Sequence, residues 1–286
     1  MKSTRTNGNL GASDYRLESS QRDGPLGERW VVQSKPTGVR HVAELLVPGD
    51  DDYLRALCEN ALRTKRWTNS QAIANVIDAG WLPDGTYFHI LEMSPQSRSL
   101  SEHTRVSEAE LLKMAESLHA GFMQMHKREL VHGLLTPMCI YRDGERALVG
   151  DLWWAHNADG QPLYGALKVF FPRRLPEFAL SFASPEVLRG QSPKRESDMY
   201  SLGAVLFFLL AGEPPRELPP LPGGEDRTSV VAAPLKQLKV MRPDVSDMTC
   251  AMIARLLEND PSVRLSVFSL EAILQELTAE ARIAKH

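Results

Sequence analysis

Ala183-Ser184-Pro185-Glu186, then Asp198-Met199-Tyr200-Ser201-Leu202-Gly203, then Leu257-Glu258-Asn259-Asp260-Pro261-Ser262-Val263-Arg264 are three segments that together point to one fold. Any one of these segments alone reads as the solvated, charged end of a helix. Solvated ends alone do not give all three in this order and at these separations. The second segment runs into residues 202–211 (LGAVLFFLLA), the longest apolar run of the chain. A membrane-spanning helix needs about 20 apolar residues, so this run is predicted to be a buried helix. Beyond it lie a Pro-rich break at 213–224 and amphipathic segments at 247–258 and 269–281.

On the N-terminal side, Ser107-Glu108-Ala109-Glu110 is a capping box. It opens a helix with Leu111, Ala115, Leu118, Phe122 and Met125 on one stripe, a spacing that follows the 3.6-residue period. Residues 94–103 are polar and read as a linker. Before them the chain changes character. Residues 29–34 (RWVVQS) and 39–47 are β-prone runs around the turn Lys35-Pro36-Thr37-Gly38, which suggests a hairpin. Asp50-Asp51-Asp52 offers N-terminal charge to a helix beginning near Tyr53. Strand-like runs at 73–77 and 86–91 flank the turn Pro83-Asp84-Gly85, and short strands at 139–141 and 146–149 flank Asp143-Gly144.

The three opening segments resemble motifs of the protein kinase superfamily, in particular bacterial serine/threonine kinases of the eukaryotic type, over roughly residues 15–275. Ala183–Glu186 looks like the A-P-E region, Asp198–Gly203 like the start of the long central helix, and Leu257–Arg264 like the late motif. The resemblance implies an α+β, bilobal fold. Residues 14–93 would be a small β-rich N-lobe with one main helix, 94–280 a larger helical C-lobe, and 1–13 a disordered segment, with one kinase domain overall. It further implies a bidentate ion pair between Arg264 and Glu186, and an Asp198 that accepts backbone N–H groups of the catalytic loop.

That loop matches in frame and departs in content. Val131-His132-Gly133-Leu134-Leu135-Thr136-Pro137-Met138-Cys139-Ile140 lies where the family has H-R-D-L-x-x-x-N. His132 and Pro137 keep the frame. Leu134 stands at the position of the Asp that takes the substrate hydroxyl proton, and leucine has no acceptor. Thr136 replaces a lysine. Cys139 replaces the Asn that holds a magnesium, and a thiol is a poor partner for that hard cation. Gly133 replaces the arginine that reads a phosphorylated loop in many members. Asp143 and Glu145 are expected to point to solvent, so no substitute base is evident. Asp151-Leu152-Trp153 sits at the D-F-G position. Asp151 is the surviving metal ligand that the resemblance implies, although a lone Asp after a strand also reads as a turn residue.

The nucleotide site is degraded too. Asp23-Gly24-Pro25-Leu26-Gly27-Glu28-Arg29-Trp30 keeps Gly24 and Gly27 but not the G-x-G-x-x-G spacing. Pro25 removes a donor, and Asp23 and Glu28 repel phosphate. Val42-Ala43-Glu44-Leu45 resembles the V-A-x-K strand, and the resemblance shifted by one residue puts Glu44 at the lysine position. Small shifts of alignment offer only Arg40 or His41 as a cation. The helix glutamate that would pair with the lysine is Glu59, so two carboxylates are expected to face each other. Ile90-Leu91-Glu92-Met93 resembles the hinge, where backbone groups of Glu92 and Met93 would hold an adenine edge. ATP and Mg²⁺, the family cofactors, are therefore expected to bind weakly.

Composition agrees with a folded domain. The chain has 286 residues, 43% hydrophobic and 24% charged, with a net charge of −3, so nucleic acid is not the expected partner. Cys58, Cys139 and Cys250 are far apart and form neither a zinc motif nor a disulfide framework. Residues 1–13 lack the apolar core of a secretory signal, and a cytoplasmic location with no membrane segment is expected. The leading expectation is a catalytically inactive regulatory or scaffolding module with a protein partner. The alternatives are an active, ATP-dependent serine/threonine kinase or other transferase with substitute residues, and an unrelated α+β protein.

Overall fold

The computed structural model describes residues 8–10, 13–21, 27–47, 70–102, 105–133, 135–150, 176–189, 191–215 and 232–283. Within these, one antiparallel sheet is ordered β1-β2-β3-β4-β6-β5: β1 Gly8–Asn9, β2 Tyr15–Ser20, β3 Glu28–Ser34, β4 Arg40–Leu46, β5 Val76–Trp81 and β6 Tyr87–Leu91. A second sheet holds β7 Arg98–Ser99, β8 Ile140–Asp143 and β9 Arg146–Val149. The helices are α1 Glu108–Lys127, α2 Pro176–Leu180, α3 Pro185–Leu188, α4 Arg195–Ala211, α5 Ala232–Met241, α6 Asp247–Leu256 and α7 Val267–Ile283. This is the α+β arrangement of a β-rich lobe and a helical lobe.

The helical core forms around two elements. α1 starts at the Ser107 capping box, in which the Glu110 N–H donates to Ser107 Oγ at 3.3 Å and the Ser107 N–H to Glu110 Oε2 at 3.2 Å. Leu111, Ala115, Leu118, Phe122 and Met125 are all buried on its inner stripe. α4 has no polar face over most of its length, and Leu202, Ala204, Val205, Leu206, Phe207, Leu209 and Leu210 are fully buried. A helix apolar all round belongs in the interior, and α1, α6 and α7 share its core. Among the described residues, no helix is long and apolar enough to cross a membrane.

The sheets depart from the sequence reading in three places. Gly8–Asn9 pairs with β2 and Leu10 is buried, so disorder through residue 13 does not hold for residues 8–10; an apolar side chain supplies an anchor there. The strand expected at 73–77 begins at Val76. Ile73 instead forms a parallel bridge to Val149, with the Ala74 N–H donating to Val149 O at 2.9 Å, which ties the two sheets together. The linker at 94–103 contains β7 and a buried Leu100, held by the Ser99 hydroxyl on Pro137 O at 3.0 Å. The helix expected near Tyr53 and most of the break at 213–224 lie outside the described residues.

Candidate functional site: the inter-sheet cleft and its scaffold

α3 and the turn after α6 meet at Arg264. Its Nη1 donates to Glu186 Oε1 at 2.8 Å and its Nη2 to Glu186 Oε2 at 3.0 Å. Nη1 also donates to Glu196 O at 2.7 Å, Nε to Glu258 O at 2.8 Å and Nη2 to Asn259 O at 3.4 Å. All five guanidinium hydrogens are thus spent. Burial raises the Glu186 pKa, but the hydrogen bonds from Arg264 outweigh it and bring the carboxyl down to about 2.

Asp198, on the first turn of α4, is fully buried and organises the loop after α1. It accepts the backbone N–H groups of His132 and Gly133, each at 2.8 Å, and His126 Nε2 at 3.0 Å. His132 Nε2 donates to Gly150 O at 3.0 Å, and burial lowers its pKa. Gly133 has φ +77°, and a Cβ there would stand 3.0 Å from Pro193 Cγ. The loop's conformation therefore suits glycine and strains any larger residue. Thr136 Oγ1 accepts the Met138 N–H at 3.2 Å and lies 3.5 Å from Cys139 Sγ, so hydroxyl and thiol serve the local turn. Leu134 and Asp151 lie outside the described residues. Asp143 is not directed to bulk solvent: its carboxylate accepts the Ser97 hydroxyl at 3.1 Å and approaches Arg146 to 3.4 Å. Glu145 is exposed and pairs with Lys113 at 3.0 Å.

The cleft side of β4 carries Val42 and Glu44. Val42 packs with Leu91, Met93, Tyr141 and Leu148, a cluster spanning both sheets. Glu44 is buried, and the charge beside it is the guanidinium of Arg29 on β3. Arg29 Nε donates to Glu44 Oε1 at 3.0 Å, and Nη2 donates both to Oε1 and, at 2.8 Å, to the Tyr141 hydroxyl on β8. His89 Nε2 approaches Glu44 Oε2 to 3.4 Å. Burial alone would raise the Glu44 pKa; the Arg29 charge and His89 outweigh it and bring it down to about 2. Glu59, the expected partner of Glu44 in a carboxylate pair, lies outside the described residues; a carboxylate this deeply buried needs a cation, which Arg29 supplies.

Of the remaining residues expected at a nucleotide, Gly27, Glu92 and Met93 lie among the described residues. Gly24 lies outside the described residues. A Cβ on Gly27 would stand 2.3 Å from Leu45 O, so the close approach of two strands already requires glycine there. The Glu92 N–H donates to Asn75 O at 2.8 Å and the Met93 N–H to Leu91 O at 2.9 Å. Both donors are thus engaged within the chain. Among the described residues, no group of three or more His, Cys, Asp or Glu side chains is placed to hold a metal. Sequence reasoning missed Arg29, His89 and Tyr141. A signal for Arg29 existed: the hairpin turn places Ser34 opposite Val39, and pairing outward from it sets Arg29 opposite Glu44.

Comparison with known proteins gives this arrangement a context. The description "Protein kinase domain" matches residues 59–277. The chain is 28% identical to the smooth-muscle myosin light chain kinase of Gallus gallus over 175 residues, 59% of this chain and 8% of that protein. It is 26% identical to the probable serine/threonine-protein kinase PkwA of Thermomonospora curvata over 263 residues, 85% of this chain and 34% of that one. The chain thus spans well under half the length of these curated relatives. Among solved structures, the PknI kinase domain of Mycobacterium tuberculosis superposes with TM-score 0.65 at 20% identity, covering 93% of this chain and 97% of that one.

Proposed function

This chain belongs to the protein kinase domain family, and from that premise we propose that it is a catalytically silent member, a pseudokinase acting in cytoplasmic signalling as a regulatory or scaffolding module for a protein partner. Residues 14–93 serve as its N-lobe and 94–280 as its C-lobe. The observation that carries the reading is Glu44, buried on the cleft face of β4 and neutralised by Arg29. A bound triphosphate would meet a carboxylate where the family supplies a lysine. Like charges 4 Å apart cost about 1 kcal/mol in water and about 4 kcal/mol in a protein-like medium. The Arg29 guanidinium is already engaged by Glu44 and Tyr141. The residues present therefore do not fit a nucleotide phosphate in the family's usual mode.

The loop residues support the same reading. Leucine at 134 offers no acceptor for a hydroxyl proton, whatever its placement. Cys139 is buried and faces Thr136 instead of presenting an oxygen to a cation. Glycine at 133 removes the arginine that a phosphorylated loop would engage. What is retained, Glu186 with Arg264 and Asp198 with the loop backbone, holds shape without taking part in transfer.

Thermal-shift titration with ATP and Mg²⁺, paired with a mass-spectrometric transfer assay, tests this. A ligand at 100 times its Kd stabilises by about 2.7 kcal/mol, which at this size is a shift of several degrees. No such shift and no transfer are expected. Transfer abolished by Asp151→Ala would establish the active alternative. Transfer that survives that substitution would contradict the whole site assignment.

A further inference from the structure

Two polar bridges cross from the large sheet to segments on the other side of the cleft. The first is Arg29 Nη2 on β3, donating to the Tyr141 hydroxyl on β8 at 2.8 Å. The Arg29 guanidinium carbon also lies 4.8 Å from the Tyr141 ring centroid, within cation–π range. The second is Gln21, just after β2, whose Nε2 donates to Pro95 O at 2.8 Å in the segment between β6 and β7. That segment is held in turn to β8, because the Ser97 hydroxyl donates to Asp143. Between the bridges, Val42, Leu91 and Met93 pack on Tyr141 and Leu148.

We propose that these contacts form a clasp that holds the cleft closed without any ligand, with Arg29–Tyr141 as its inner bridge and Gln21–Pro95 as its second. The inference rests on the nucleotide-poor reading of the cleft and deepens it. A ligand-binding cleft must open to admit its ligand, and its two sides are usually brought together by that ligand. Here the protein's own side chains join them. Arg29 is held in position by Glu44, so the glutamate at the lysine position acquires a role: it orients the clasp. The consequence is a domain of fixed relative lobe position, presenting one constant surface to a partner.

Hydrogen–deuterium exchange of the full chain tests the clasp through two conservative variants. Tyr141→Phe removes a hydroxyl and keeps the ring, so the fold is preserved while a hydrogen bond to a charged group is lost. Exchange in the β3 and β8 peptides should rise about tenfold. Gln21→Ala should raise exchange around residues 13–21 and 94–97 by about threefold. Peptides of α4 should not change in either variant. With millimolar ATP and Mg²⁺, wild-type exchange should stay as it is. If both variants exchange like the wild type, the clasp is refuted, whatever ATP does. If ATP slows exchange in the wild type, the nucleotide-poor reading fails, and the variant comparison still decides the clasp.

Discussion

Glu44→Gln is the perturbation that separates the Arg29–Glu44 pair from the rest of the fold. It keeps side-chain shape and removes one charge, leaving the buried Arg29 guanidinium facing a neutral amide. Glu44 falls from an ordinary 4.5 to about 2 in the folded protein, a difference worth about 3 kcal/mol at 1.36 kcal/mol per pH unit. Removing one member of a buried pair typically costs about 3–5 kcal/mol, a loss of the same order. Against a total stability of about 5–15 kcal/mol, the loss shows readily in a urea or guanidinium unfolding midpoint.

The pH dependence supplies the sharper test. A carboxyl whose pKa is depressed in the folded state stabilises above its unfolded value and ceases to do so as pH falls through the folded one. The stabilisation from Glu44 is therefore complete above about pH 5 and is lost progressively toward pH 2. At pH 3 about 2 of the roughly 3 kcal/mol are gone. The wild type and Glu44→Gln should thus differ by about 3 kcal/mol at pH 7 and about 1 kcal/mol at pH 3. Glu186, also held at about 2, titrates in both proteins and cancels in the comparison. Equal stabilities at pH 7, or a gap that stays constant down to pH 3, would refute the claim that Arg29 holds Glu44 ionised in the cleft.

Other substitutions probe the scaffold. Arg264→Lys keeps the charge but offers three donors where five are used, so at least two acceptors lose their partner. The unfolding midpoint should drop by the equivalent of about 2–4 kcal/mol. Gly133→Ala forces a Cβ into φ +77° and against Pro193; calorimetry should show a loss of about 1–2 kcal/mol. Glu145→Ala breaks only the exposed contact with Lys113 and should leave the melting temperature unchanged within error.

The fold was legible because its evidence is local or periodic. The Ser107 capping box, the buried stripe of α1 and the all-apolar run of α4 are each written in contiguous residues. β2 was not legible. Its sequence YRLESS alternates weakly and buries only Leu17, so it forms through its pairing with β3 and not through its own propensity. Gly8–Asn9 is a strand for the same reason: its partner defines it.

At the candidate site the division follows sequence separation. Gly133, Thr136 and Cys139 sit in one loop, and their departure from the family pattern can be read residue by residue. The cleft's charge balance cannot, because its members come from β3, β4, β6 and β8. A scan along β4 for a cation finds only Arg40 and His41 and treats Glu44 as a lost lysine. Across the hairpin the same glutamate has an arginine directly opposite. Burial then decides what the pair does. At the surface such a pair would contribute little; with Glu44 buried, an unpaired carboxylate would cost several kcal/mol, so Arg29 must stay. On the proposed function, an arginine that stays with Glu44 and also reaches Tyr141 is withheld from any phosphate entering the cleft. The degraded position 44 is better understood as one half of a new interaction than as the absence of an old one.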